Sequence, residues 1–290
     1  MDAFLLVSSK GVDMPNMQLP SPGLGTWQHH GDSLIECVIE ALAIGYQHID
    51  TAQGYRNESE VGDALSQASV DRDTYVLATK CHWEQLSYDE VIENASESLD
   101  RLGVDYLDLL YIHWPAYNYD PDETFAALAE LVDRGVVHHV GVSNFTIPLL
   151  EEAMDASPVP IVANQVETHP YCQQHEMQAF LLEHDMYHVA YSPLARGNVF
   201  EIPEIVEIAE RRGLTAAEVA LAWLFGRENV VPIPMGDRPK FVRENWRASD
   251  NELTDEDVAL IESIDREEKY VDPDHAPWNG GEGSVTVSGQ

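Results

Sequence analysis

Eight short runs of branched and aromatic residues recur along this chain, each separated from the next by a stretch with helical spacing. The runs are Leu24–Trp27, Tyr46–Ile49, Tyr75–Thr79, Leu107–Ile112, Val136–Val142, Ile161–Val166, Tyr187–Tyr191 and Val230–Ile233. They are apolar nearly throughout rather than alternating, which marks strands covered on both faces. Strands that alternate with helices form a parallel sheet with crossover connections. Eight such units over ~250 residues suit a closed (β/α)8 TIM barrel better than an open doubly wound sheet. At 290 residues the chain is read as one domain spanning residues 1–290, since barrels commonly reach this size undivided.

The helical stretches carry start and stop signals. Ser33 with Glu36, Ser87 with Glu90, and Thr215 with Glu218 have the spacing of capping boxes, and Thr254 with Asp257 resembles one. Gly45 and Gly103 stand where the first and third helices should stop. Gly11, Pro15, Pro20 and Pro22 punctuate the segment before the first strand, which is expected to form a short hairpin ahead of the barrel. Residues 279–290 are rich in glycine and serine and are expected to be a loose tail.

Charge narrows the function. Fifty-one acidic residues face 16 basic ones, a formal net charge of −35. Such a chain repels polyanions, so nucleic acid is excluded as a partner. The acids are spread over apparent helix surfaces, and lysine occurs only at positions 10, 80, 240 and 269. A dispersed negative surface poor in lysine suits a high-salt cytoplasm, where self-repulsion is screened. No apolar run approaches the ~18 residues of a membrane span, and the N-terminal residues lack the basic start and apolar core of a secretion signal. Three widely spaced cysteines form no disulfide or metal pattern and fit a reducing compartment. A cytoplasmic monomer is expected. The paired histidines His29/His30 and His138/His139 lack ligand spacing and read as surface or packing residues, and no metal site is expected.

In a barrel of this kind, chemistry sits where strands end and the following loops begin. There the sequence places Asp50, Tyr55, Lys80 and His113. Each alone is unremarkable; four such groups on one rim are not. A tyrosine phenol has a pKa near ~10. A neighbouring ammonium favours the phenolate and should lower it. Asp50 would hold Lys80 in place, His113 would orient a carbonyl oxygen, and Tyr55 would donate the proton as general acid. The nearest approach to a G-x-G-x-x-G dinucleotide fingerprint, Gly23-Leu24-Gly25, lacks its third glycine.

With these segments on the page, the chain resembles the aldo-keto reductases from about Gly11 to Trp278. The resemblance is carried by Pro22–Trp27, Gly45–Tyr55, Thr79-Lys80, Ile112–Pro115, Val140–Phe145, Asn164–Tyr171, Tyr191–Leu194 and Val271–Pro277. It implies a barrel that binds a nicotinamide cofactor without a Rossmann domain. Asp50, Tyr55, Lys80 and His113 match the family's catalytic tetrad. Ser143, Asn144 and Gln165 match residues that hold the carboxamide, Tyr191 the ring that stacks on nicotinamide, and Ser192 and Leu194 positions near the pyrophosphate. Trp27, Trp83 and Trp114 match or neighbour the aromatic wall of the substrate pocket, with core packing as the alternative. The late segment resembles bacterial reductases of small aldehydes and keto-sugars, such as diketogluconate reductases.

One loop departs from the family pattern. Where the family places a lysine, a serine and an arginine around the adenosine phosphate, this chain has Met235, Gly236 and Phe241, while Glu244 and Asn245 match. Arg238, Lys240 and Arg243 nevertheless crowd the same loop. The resulting expectation is an NAD(P)H-dependent oxidoreductase that reduces aldehydes, ketones or keto-sugars, with NADP(H) preferred through Arg238 and NAD(H) also accepted. The alternative is a cofactor-binding, redox-sensing regulatory subunit with little turnover.

Overall fold

The computed structural model describes residues 17–285. Residues 1–16 of the expected N-terminal hairpin lie outside the described residues. All eight expected strands form: β1 (Leu24–Gly25), β2 (His48–Asp50), β3 (Val76–Cys81), β4 (Leu107–Ile112), β5 (Val137–Ser143), β6 (Ile161–Glu167), β7 (Tyr187–Tyr191) and β8 (Val230–Pro232). They pair in parallel and in chain order. The ring closes where the amide of Gly23 donates to the Pro232 carbonyl (3.1 Å) and that of Gly25 to the Pro234 carbonyl (3.2 Å). A Cβ at Gly25 would lie 2.6 Å from the Ile233 carbonyl oxygen, so only glycine lets the two strands meet. The segment that came nearest to a dinucleotide fingerprint is the seam of the barrel.

Ten helices cover the ring among the described residues: α1 (Gly31–Ile44), α2 (Glu58–Gln67), α3 (Tyr88–Leu102), α4 (Pro121–Asp133), α5 (Ile147–Ala156), α6 (His175–Glu183), α7 (Pro203–Arg212), α8 (Ala216–Phe225), α9 (Pro239–Arg247) and α10 (Asp255–Glu262). Three of the four expected capping boxes are present, at Ser87, Thr215 and Thr254. Gly45 and Gly103 stop their helices in the left-handed conformation, with φ of 112° and 66°.

The box expected at Ser33 is absent. Helix α1 begins three residues earlier, with His30 as its N-cap, because the Glu60 carboxylate reaches across from α2 and accepts the Gly31 amide (3.0 Å). That acceptor satisfies an orphan N–H which a local cap would otherwise take. The Ser33 hydroxyl is thereby released to donate to the Asp237 carbonyl (2.7 Å), tying α1 to the loop before α9.

Residues 279–285 also differ from expectation. The Tyr117 amide donates to the Gly283 carbonyl (2.7 Å), Ser284 bridges to Ala116, and Val285 packs on the core. Gly283, at φ 80°, lets the chain lie against the Tyr117 ring, where a Cβ would approach within 2.6 Å. The glycines that suggested looseness permit a close fit instead.

Candidate active site

The register of β2 and β3 brings the first two groups together. Asp50 lies opposite Ala78, and Lys80, two residues further along β3, points to the same side of the sheet. Both side chains are buried, Lys80 completely. The Lys80 ammonium donates to Asp50 Oδ1 (2.5 Å) and to the Thr51 carbonyl (2.8 Å), and lies 5.0 Å from the centre of the Tyr55 ring. Asp50 Oδ2 accepts from Gln165 Nε2 (2.8 Å). Burial pushes the ammonium toward losing its proton, but the Asp50 carboxylate and then Tyr55 more than reverse this and hold Lys80 above its ordinary value.

Tyr55 ends a single 3-10 turn, Gln53–Tyr55, just past β2. Two amides that the sequence reading gave no role fix that turn. Gln53 donates to the Asn94 carbonyl (2.7 Å) and Ser98 Oγ (2.9 Å), and accepts from the His82 amide (2.8 Å). Asn57 accepts from Thr51 Oγ1 (2.9 Å) and donates to the Thr26 and His29 carbonyls (2.8 and 3.0 Å).

The expected lowering of the Tyr55 pKa is not found. Burial raises the phenol, Lys80 lowers it and Asp50 raises it again, leaving the group above its usual value. Asp50 offsets part of the lysine's field, and the surrounding apolar walls supply the rest. Tyr55 therefore keeps its proton through neutral pH.

His113 follows β4 and meets the Tyr55 ring edge-on, centroids 5.5 Å apart. Burial, reinforced by the Lys80 charge, depresses its pKa well below the ordinary imidazole value. The ring is neutral and carries one N–H for donation.

The amides of the next strands converge beside this group. Ser143 Oγ donates to the Gln165 carbonyl (2.8 Å). Asn144, left-handed at φ 64°, donates to the His113 carbonyl (3.0 Å), and its Oδ1 accepts from the Tyr191 hydroxyl (2.8 Å). One cavity of about 720 Å³ opens above them. Its lining includes Trp27, Asp50, Tyr55, Trp83, His113, Trp114, Ser143, Asn144, Gln165, Tyr191, Ser192 and Leu194. Lys80 lies beneath this floor. Arg196 lies over the Trp27 ring at 4.3 Å, bridging the loops after β7 and β1.

The expected phosphate loop reaches the cavity wall through Ile233, Pro234 and Met235, but its basic residues do not line it. Arg238 is exposed at the start of α9, Glu244 is exposed, and buried Asn245 donates to the Met235 carbonyl (3.3 Å). Lys240 pairs with Glu244 (3.5 Å) and Arg243 with Glu40 (2.7 Å). Arg238 makes no ion pair among the described residues.

Glu167 was quoted only inside a motif, yet it fixes the rest of the cavity. At the end of β6, two residues past Gln165 and on the same face, its buried carboxylate accepts the amides of Tyr270 (2.8 Å) and Val271 (3.0 Å) and meets His169 Nε2 (3.0 Å). That clamp lays Tyr270, Val271, Asp272, Pro273 and His275 along the cavity. An acid at a strand end was its available signal. Its partners lie about 100 residues downstream in the chain, and local pattern could not supply them. Among the described residues, no group of three His, Cys, Asp or Glu side chains is arranged to hold a metal ion.

Comparison with known proteins gives a consistent answer. Residues 22–266 match the model of the aldo/keto reductase family. Methylglyoxal reductase DkgB of Escherichia coli O157:H7 is 37% identical over 261 residues, covering 89% of this chain and 97% of that protein. 2,5-Diketo-D-gluconic acid reductase B of a Corynebacterium strain is 37% identical over 251 residues, covering 84% and 89%. Among solved structures, an aldo/keto reductase from Brucella melitensis superposes with a TM-score of 0.82 at 35% identity, covering 89% of this chain and 98% of that one. An aldo-keto reductase from a Medee basin deep-sea metagenome library gives 0.84 at 32% identity, covering 89% and 96%.

Proposed function

The chain belongs to the aldo/keto reductase family, and from that premise we propose that it reduces small aldehydes, ketones or keto-sugars to alcohols, with Tyr55 as the general acid. The observation that carries this is the placement of one buried ammonium between Asp50, Thr51 and Tyr55 at the floor of an aromatic-walled cavity. The relatives named as methylglyoxal and diketogluconate reductases support the substrate range.

The residues present suit a nicotinamide cofactor. A hydroxyl and two amides (Ser143, Asn144, Gln165) are the donors and acceptors a carboxamide needs. Tyr191 offers a flat ring beside them, and the cavity continues past Ser192 and Leu194 to Ile233–Met235. When bound, such a cofactor supplies a hydride to the carbonyl carbon. Tyr55 passes its proton to the carbonyl oxygen as negative charge develops there. Lys80 stabilises the phenolate left behind, and Asp50 keeps Lys80 charged and in position. Neutral His113 donates a hydrogen bond that fixes the oxygen against Tyr55.

NADPH is the favoured form in this reading, with NADH also accepted. Lys240 and Arg243 are already paired with glutamates, which leaves Arg238 as the uncommitted guanidinium of the loop, and guanidinium binds phosphate bidentately. Steady-state kinetics on a panel of aldehydes, ketones and aldoses with both cofactors tests the activity. Fluorescence titration of NADPH and NADH into wild type and Arg238→Ala tests the reader. An unchanged NADPH-to-NADH affinity ratio in the variant removes Arg238 from the role.

A further inference from the structure

Beside the Asp50–Lys80 pair lies a second buried carboxylate that the proposed chemistry leaves without a part. Glu58 is the first residue of α2, three positions past Tyr55, and it is buried. Its Oε1 accepts from Thr79 Oγ1 (2.5 Å) and its Oε2 from Arg101 Nε (2.7 Å). Thr79 immediately precedes Lys80 on β3. Successive strand side chains point to opposite faces, so Glu58 grips β3 from the helix side, directly behind the residue whose ammonium enters the barrel. Arg101 comes from the last turn of α3, where Nη1 also meets Glu97 (2.9 Å). One carboxylate thus joins α2, β3 and α3.

The segment around Tyr55 is fastened on both sides. Ahead of it, Gln53 bonds Asn94 and Ser98 of α3. Behind it, Glu58 bonds Arg101 of the same helix, and a Cβ at Gly62 would lie 2.7 Å from the Arg101 carbonyl oxygen, so α2 rests directly on the end of α3. Gln53 reaches only the His82 amide past the end of β3, and Asn57 bonds Thr51, Thr26 and His29. Among these side chains, Glu58 is the one that bonds β3 itself. The interval it spans is the one that matters for proton transfer. An ammonium stabilises a phenolate in inverse proportion to their separation, and a 1 Å misplacement caused from outside the site can cost ~10²-fold in rate.

Building on the reductase reading, we propose that Glu58 is a positioning residue for proton donation: by tying Thr79 to the start of α2, it holds the Lys80 strand and the Tyr55 turn at a fixed separation. It does not line the cavity, and it acts through Thr79 and Lys80 rather than on substrate or cofactor. Its geometry is what counts. A glutamine could accept from Arg101 with its oxygen and donate to the Thr79 hydroxyl with its amide, because a hydroxyl both donates and accepts.

The test compares wild type, Glu58→Leu, Thr79→Val and Glu58→Gln on butanal with NADPH. Glu58→Leu should lose ~10–10²-fold in kcat, with KM and NADPH affinity by fluorescence titration within about twofold of wild type. Thr79→Val removes only the strand contact and should lose less in the same direction, and Glu58→Gln should recover most of the rate. The solvent deuterium isotope effect on kcat should grow in Glu58→Leu and Thr79→Val, because proton donation becomes the slower step. A merely structural role would lower the melting temperature and leave kcat of the folded enzyme and its isotope effect at wild-type values, and that result overturns the proposal. So does a loss confined to KM or NADPH affinity. If Glu58→Leu does not fold, Thr79→Val carries the comparison. Turnover of butanal by wild type tests the reductase reading by itself. Were it absent, amide hydrogen exchange over residues 51–57 of the free chain would still read the anchor: faster exchange in Thr79→Val supports it, and unchanged exchange overturns it.

Discussion

His48 and Asp50 sit two residues apart on β2, both facing into the barrel and both buried, yet they are held in opposite electrical states. Asp50, at the mouth, is one half of a buried ion pair, accepting from Lys80 on one oxygen and from Gln165 on the other. His48, one layer deeper, has lost its charge: burial drives its pKa down to about 4, with Asp50 pulling weakly the other way. His188, on β7, is lowered to about 3 for the same primary reason. Equal burial thus gives a charged site where a partner is supplied and a neutral one where it is not. The mouth of the barrel is where the fold maintains charge, and that is also where its reactive groups stand.

The most severe way to break this contrast is to remove the proton donor. Tyr55→Phe leaves the ring and its packing but no hydroxyl, and kcat should fall by ~10²–10⁴-fold, with NADPH affinity nearly intact by fluorescence titration. Turnover close to wild type would show that the mouth does its chemistry elsewhere. Lys80→Met, next in size, strands the Asp50 carboxylate in the interior. Breaking a buried pair costs about 3–5 kcal/mol, read as a lower urea midpoint at pH 7. Raising the pH of the assay should not restore activity in that variant, because the phenol has lost the charge that stabilises its anion.

A third measurement sharpens the other half. The histidines depressed in the folded state bind protons more readily once unfolded, so their contribution is complete above about pH 6.5 and is lost as pH falls. For His48, between an unfolded value near 6.5 and a folded value of about 4, the loss at pH 5 is about 2 kcal/mol. Urea midpoints from pH 7 to 4.5 should decline, and His188→Gln should flatten the slope. Were the variant's slope as steep as wild type's, acid sensitivity would belong to the carboxylates. The smallest effect concerns the outer surface, where −35 formal charges repel one another at low ionic strength. The melting temperature should climb from dilute buffer into molar KCl, while the fully buried Asp50–Lys80 pair should be insensitive to salt. A flat profile would argue against the proposed high-salt adaptation.

The sequence was most legible where one residue answers to one local rule. Strand positions followed from apolar runs, helix stops from Gly45 and Gly103, and three helix starts from paired Ser/Thr and acid. Asp50, Tyr55, Lys80 and His113 could be singled out because each stands at a strand end. Legibility failed where a distant partner intervenes. Glu60, on another helix, displaced the Ser33 cap, and Tyr117 turned a glycine-rich stretch into a fitted one. The direction of the Tyr55 shift depends on how much apolar wall surrounds it, which no count of neighbouring charges reveals. Glu167 looked like motif filler until its two acceptors met the amides of Tyr270 and Val271.

That last contact orders events during synthesis. The ring can close once β8 (Val230–Pro232) has emerged, but the amides that Glu167 captures are made about forty residues later. A nascent chain can thus hold Asp50, Lys80 and Tyr55 in register while its mouth is still open on one side. The C-terminal part of the cavity wall is added last, by translation, after Trp27, Trp83 and Trp114 have been made. Changes in that late stretch can therefore alter what the pocket accepts without disturbing the assembly of the barrel beneath it.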